Sequence, residues 1–394
     1  MLFAVALLAF ASLGLPDGVL GVAWPSVRAT FGLPLGELGV LLAATMVGYL
    51  ASSFSGGWLV ARLGIGRLLV WSSALMVAHA AVCALAPRWR LMMAAGVLAG
   101  LGAGAIDAGI NAFAALRFPP RRLSWLHAAY GVGAMTGPLL MTAVLAGGRS
   151  WRVGYAVLGA SLAALTTVFV LTRRLWEMEG RAGPGSASAG ARSPAATLGR
   201  PVVWLNAALF FVYTGVEVVA GQWTYSLFTE GRGIAPVTAG LWVAGYWGAL
   251  TAGRVAFGWL AERVPATTLL RVAIAGAPIA ALALWLAPGG WGSGAGLLAL
   301  GVALAPIYPL LVSETPGRLG EADTANAIGF QVAAAYLGAA TLPWLGGVLA
   351  HRYGLPVIGP FLLGAAALLF LLHAFAPRPA APALRRPAAV PARG

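Results

Sequence analysis

The chain has 394 residues, of which 60% are hydrophobic and only 9% charged, against roughly 25% charged in soluble domains. That balance excludes a water-soluble globule; divided into apolar runs of about 20 residues, the chain has room for about a dozen membrane spans. The formal charge of +14 is carried by arginines scattered between the apolar runs, which excludes the single basic patch with interleaved aromatics that nucleic acid requires.

The first apolar run covers about 3–27. It has no basic leader, since Arg28 is the first cation, and it is too long for a secretory signal, so it reads as a retained helix. Near its middle stands Gly14-Leu15-Pro16-Asp17-Gly18, where proline removes a backbone donor and loosens the helix around a carboxyl. Runs follow at about 35–61, 66–86, 91–116, 123–147 and 152–172. The fourth carries Asp107 and Asn111, four residues apart and therefore on one helix face. A carboxyl beside an amide offers several hydrogen bonds to a polyol.

The stretch 173–202 is rich in Gly, Ser, Ala and Pro and reads as a cytoplasmic linker. Six more runs follow, at about 203–228, 236–261, 267–287, 293–313, 325–349 and 355–375. The seventh holds Glu217, Gln222 and Trp223, polar groups beside an aromatic platform of the kind that sugars prefer. Arg254 is the fourth ionisable group within a span. The tenth places Tyr308 between two prolines, a kink signal, and the eleventh holds Gln331. The tail 377–394 is Pro/Ala/Arg-rich and reads as disordered.

The expected organisation is therefore all-α, with twelve transmembrane helices: a six-helix bundle at 1–172, the linker, and a second bundle at 203–376. With the amino terminus inside, inner segments hold 17 arginines and outer loops 7. That bias predicts both termini cytoplasmic in a cell (inner) membrane. The halves repeat each other in order: Gly57-Trp58-Leu59-Val60-Ala61-Arg62 returns as Gly258-Trp259-Leu260-Ala261-Glu262-Arg263, 201 residues later. Gly133 to Pro138 returns as Gly338 to Pro343, and Asp17 with Gly21 returns as Glu217 with Gly221. Two parallel halves place a solute site between them near the midplane.

These features resemble the major facilitator superfamily. Gly57 to Arg67 resembles its loop 2–3 signature, although Ala61 stands where the family carries an acid; the second copy keeps Glu262-Arg263. The resemblance implies an inner gate involving Arg62, Arg67, Glu262 and Arg263, with Gly137-Pro138 similar to a packing and kink element seen in antiporters. A narrower resemblance, carried by Asp107 to Asn111, the helix 7 stretch around Glu217 and the Ala-Pro-Ile-Tyr-Pro of helix 10, is to the fucose–galactose–glucose proton symporters. It implies that Asp107 couples to protons and that Asp17 or Glu217 contributes to solute binding. Without the resemblance, the cost of an ionisable group in mid-bilayer already marks Asp17, Asp107 and Glu217 as proton-coupling candidates. Asn111, Gln222, Trp223, Tyr308 and Gln331 are the candidate solute ligands.

The expected function is proton-coupled symport of a monosaccharide or similar polyol. An efflux antiporter for drugs or apolar metabolites is the alternative. The lone Cys83 excludes an internal disulfide, and no metal cluster, hydrolase grouping or nucleotide motif is visible. Neither a cofactor nor enzymatic activity is expected, and the partners are a small solute, protons and lipid, with a monomer as the working unit.

Overall fold

The computed structural model describes residues 1–118, 120–179, 193–287 and 289–376. Lipid forces every backbone polar group to be satisfied within its own span, and the apolar runs accordingly fold as helices. They are α1 (Leu2–Phe31), α2 (Glu37–Phe54), α3 (Gly56–Leu85), α4 (Trp89–Arg117), α5 (Pro120–Ala146) and α6 (Trp151–Glu179), then a short α7 (Pro194–Leu198). The second set is α8 (Pro201–Ser226), α9 (Pro236–Leu260), α10 (Ala266–Leu286), α11 (Gly289–Leu304), α12 (Ile307–Leu319), α13 (Glu321–Tyr353) and α14 (Ile358–Ala374). A π turn, Leu227–Gly231, prolongs α8.

Among the described residues, eleven segments are long and apolar enough to cross a membrane, with α11 and α12 together forming one of them. The predicted eighth span, α9, has 25 residues but is not one of the eleven. Its three tryptophans, Tyr246, glycines and Arg254 lower its mean hydropathy. α11 and α12 part at Ala305-Pro306, where proline supplies no donor, so the kink predicted around Tyr308 is present.

Three boundaries differ from expectation. The run predicted at 35–61 breaks at Ser55, and 56–63 is the start of α3. Gly64, at φ 71°, then turns the chain into the membrane-spanning part, a conformation that costs glycine little. α6 continues through Glu179, past the predicted end at 172, because Trp176 is buried edge-on against Phe113 at 5.0 Å. The far end of the linker is also ordered. Ser193 caps α7, Thr197 Oγ1 donates to Asp323 Oδ1 at 2.8 Å, and Arg200 Nη1 donates to Asp323 Oδ2 at 2.5 Å. Residues 180–192 of the linker and the tail 377–394 lie outside the described residues.

Helix pairing in one half repeats in the other. α1 lies along α5 as α8 lies along α13; α3 pairs with α6 and α10 with α14; α2 pairs with α4 and α9 with α11. The halves meet where α2 crosses α13, α5 crosses α9, and α1 crosses α8. This is the internal repetition that the duplicated sequence segments lead one to expect.

The α1–α5 seam is built on glycines four apart, Gly14 and Gly18 facing Gly133 and Gly137, which let backbones touch. A Cβ on Gly133 would lie 2.0 Å from the Ala11 carbonyl oxygen. Gly133→Ala is therefore expected to force the helices apart at a cost of about 1–3 kcal/mol, lowering the thermal midpoint of the detergent-solubilised protein. Gly364→Ala, where a Cβ meets nothing within 4 Å, is the control and should leave the midpoint in place.

Candidate functional site

At mid-depth the two halves bring a layer of acids, tyrosines and one arginine together. Asp107 of α4 is bonded from three different helices. Its Oδ1 accepts from Asn111 Nδ2 at 2.8 Å, the i, i+4 pairing expected on one helix face. Its Oδ2 accepts from Tyr49 of α2 and, at 3.2 Å, from Tyr336 of α13. The hydroxyls of Tyr49 and Tyr336 also touch, with ring centroids 3.8 Å apart. Tyr336 belongs to the other half, so Asp107 is bonded across the interface between the two bundles.

Asp17 lies at the middle of α1, which stays helical through Pro16. Its carboxylate accepts from Tyr130 of α5 at 2.8 Å, and it is exposed even though Gly18–Trp24, the next turns of α1, are all buried. Its backbone carbonyl accepts from Gln222 Nε2 of α8 at 2.9 Å, a second bond between the halves. The other amide atom of Gln222, Oε1, is buried without a partner among the described residues.

Glu217 of α8 pairs with Arg254 of α9, Nη2 lying 3.2 Å from Oε2 and 3.3 Å from Oε1. Tyr213, one turn before Glu217, donates to the same carboxylate, and Tyr246 donates to the Glu217 backbone carbonyl at 2.9 Å. Arg254 therefore does not reach for the interface; burial is offset by an ion pair, as a charge in this setting requires. Tyr308 is half-buried beside this group, edge-on to Phe210 at 5.0 Å and 6.1 Å from the Tyr213 ring.

The three acids lie close enough to influence the same neighbours. Asp17 is in the field of Glu217, and Tyr308 is in the fields of Asp107, Glu217 and Arg254. Three carboxyls face one guanidinium, so the layer is net acidic when all three are ionised. It is suited to holding protons and to hydrogen-bonding hydroxyl groups, and it repels anions.

Other predicted residues lie elsewhere. Trp223 is fully buried, and its Nε1 donates to the Pro343 carbonyl of α13 at 2.9 Å, a packing position rather than a wall of the layer. Gln331 is buried with Thr315 of α12, each side chain bonding the other at 3.0–3.2 Å. Gly137 and Pro138 pack on α1: a Cβ on Gly137 would meet the Leu15 carbonyl oxygen at 2.6 Å. Arg62 covers the Trp58 ring at 4.6 Å, and Arg62, Arg67, Glu262 and Arg263 are all exposed. Glu262 forms no ion pair among the described residues. His127 packs edge-on against Phe10 at 5.4 Å.

Sequence reasoning missed the four tyrosines that donate to a carboxylate, Tyr49, Tyr130, Tyr213 and Tyr336. One signal was available, since Tyr213 stands four residues before Glu217 and hence on the same face. The pairing of Tyr336 with Asp107 spans 229 positions and leaves no local trace.

A family model described as Major Facilitator Superfamily matches residues 2–328. The Saccharomyces cerevisiae protein named bypass of stop codon protein 6 is 23% identical over 404 aligned residues, covering 93% of this chain and 80% of that protein. A probable sulfoacetate transporter of Cupriavidus necator, SauU, is 27% identical over 233 residues, covering 54% of this chain and 53% of the relative. Among solved structures, the D-xylose–proton symporter superposes with a TM-score of 0.75 at 15% identity, over 94% of this chain and 96% of that one. A bacterial Spinster homologue, inward-facing and occupied, gives 0.74 at 14% identity, with 97% and 98% covered. FucP in its outward conformation gives 0.63 at 17% identity, with 96% and 99% covered. A family match over most of the chain, with the same fold in three solved transporters, makes this multi-pass membrane protein a transporter belonging to the Major Facilitator Superfamily.

Proposed function

We propose that the protein is a proton-coupled symporter of a small, uncharged polar solute, a monosaccharide or similar polyol, working by alternating access between its two halves. The observation that carries this reading is the mid-depth layer itself. It gathers three carboxyls, two amides and four tyrosine hydroxyls from both bundles around the interface. Ionisable groups are costly at that depth and mark ion or substrate pathways. Hydroxyl-rich solutes match a set of donors and acceptors of this kind, and an anion would meet excess negative charge. Similarity to FucP and to the D-xylose–proton symporter supports the same direction.

In this reading α9 is the twelfth span, both termini are cytoplasmic, the orientation that the arginine bias favours, and the monomer works in the cell (inner) membrane. Asp107 carries the coupled proton. Asp17, Asn111, Gln222 and Tyr308 contact solute, while Glu217 and Arg254 hold the α8–α9 wall. The inner-loop residues Arg62, Arg67, Glu262 and Arg263 engage when the inner side closes.

The test is solute-induced proton movement in proteoliposomes across a panel of monosaccharides, sulfonates and cationic drugs. A sugar that drives external alkalinisation, abolished by a protonophore, is the expected result. Proton movement opposite to a drug would replace symport with efflux, and a signal from a sulfonate alone would overturn the polyol assignment.

A further inference from the structure

On their outer sides the two halves touch along α1–α8, α2–α13 and α5–α9, and the first of these seams ends in an ion pair. From mid-depth outward, α1 and α8 touch first through the Gln222–Asp17 bond and next at Gly21 and Gly221, where a Cβ on Gly21 would lie 2.8 Å from the Gly221 carbonyl oxygen. They touch last at Arg28, in the final turn of α1, whose guanidinium donates to Glu230 in the π turn beyond α8. Along the second seam Gly39 of α2 abuts Trp344 of α13, and Gly347 abuts Gly36, so that a Cβ on either Gly39 or Gly347 would have no room. Both sides of the α1–α8 seam are buried here, Gly18–Trp24 on one helix and Val219–Phe228 on the other. Asp17, immediately below the seam, is exposed, so the closed stretch of the α1–α8 seam begins just above the layer of acids and runs to the ion pair.

We propose that Arg28 and Glu230 are the outer gating pair of this transporter. The pair forms as the outer side closes, and it must separate each time the mid-depth layer faces outward. The proposal rests on alternating access. The tip of α1 and the end of α8 belong to different halves, and both side chains are about one-third exposed, 27% and 33%. Neither group therefore needs the other to remain folded. A pair of this kind is strong enough to bias a conformational equilibrium and weak enough to open in every cycle.

The experiment measures the distance between the halves on the outer side, independently of any solute. Spin labels are placed at Arg149→Cys, between α5 and α6, and at Arg352→Cys, in the last turn of α13. Both sites are exposed, and the buried Cys83 is replaced by alanine to leave only the introduced thiols. Pulsed dipolar distances are then read in lipid nanodiscs. Glu230→Gln and Arg28→Gln should each increase the population with the longer outer distance by about twofold to fivefold, the range set by an exposed pair. The reversed pair, Arg28→Glu with Glu230→Arg, should return the distribution toward that of the unmodified chain.

Identical distributions in both single variants overturn the gating role. A shift in the single variants that the reversed pair does not correct overturns the ion-pair basis. If distances respond as expected but no panel solute moves, the gate stands and the proposed transport activity falls; the converse pattern keeps transport and removes the gate.

Discussion

Asp107→Asn is expected to abolish proton movement while leaving solute exchange in place. The substitution keeps the shape of the side chain and an oxygen that can accept from Tyr49, Tyr336 or Asn111, but it removes the group that can bind and release a proton. Net uphill uptake should therefore disappear. Counterflow, which needs only the two solute-loaded states, should continue. Hydrogen bonds to a charged group contribute about 1.5–3 kcal/mol and neutral ones about half that, so solute affinity in the variant should weaken by about tenfold at most. Tyr336→Phe separates this role from mere packing, because it deletes only the donor from the opposite half and keeps the ring stacked on Tyr49. It should alter the rate at which the halves interconvert and leave the ratio of protons to solute unchanged. If Asp107→Asn still concentrates solute against a gradient under a proton-motive force, Asp107 is not the coupling acid, and Asp17, bonded to Tyr130 and exposed, becomes the next candidate.

Much of this architecture could be read along the chain because lipid simplifies the problem. A run of about 20 apolar residues has essentially one way to satisfy its backbone, so the eleven apolar spans were recognisable from composition, while the short α7 was not. Acids in those runs stood out because their burial needs compensation. The same logic left the partners hidden. Tyrosine is ordinary in a span and is commonest near the interface, so Tyr49, Tyr130 and Tyr336 carried no mark of being donors at mid-depth. Trp223 looked like a solute ligand because it shares a helix with Glu217, and Gln331 because it is a polar amide within a span. Which way each side chain faces is set by the crossings of α8 with α13 and α12 with α13, and a single sequence does not specify those angles. Glu230, one residue before a glycine, drew no reading from the sequence; its partner Arg28 is 202 positions away. The linker misled for a different reason. Its Gly/Ser-rich middle dominated the composition, although Trp176 at one end and Thr197 and Arg200 at the other have specific partners.

Breaking the Glu217–Arg254 pair should cost more than removing both charges. Side-chain exposure is 15% for Arg254 and 9% for Glu217, and leaving one member of a buried pair alone typically costs about 3–5 kcal/mol. The two single variants should not be equal. Arg254→Gln leaves a carboxylate that can take up a proton and still accept from Tyr213 or donate to a neighbour. Glu217→Gln leaves a guanidinium that cannot lose its proton and that has only neutral oxygens from Tyr213 and the new amide to face. Glu217→Gln is therefore the more damaging of the two. The double variant, Glu217→Gln with Arg254→Gln, buries two neutral amides that can bond to each other and should lie closer to the unmodified chain than either single variant. SDS-induced unfolding in mixed micelles supplies the comparison as a double-mutant cycle. If the three variants are simply additive, the pair makes no energetic coupling, and Arg254 would have to be held by the field of the whole acidic layer instead. If coupling is present but the order of the singles is reversed, the carboxylate is the group the protein cannot leave alone, and Glu217 is excluded as a site that exchanges protons during transport.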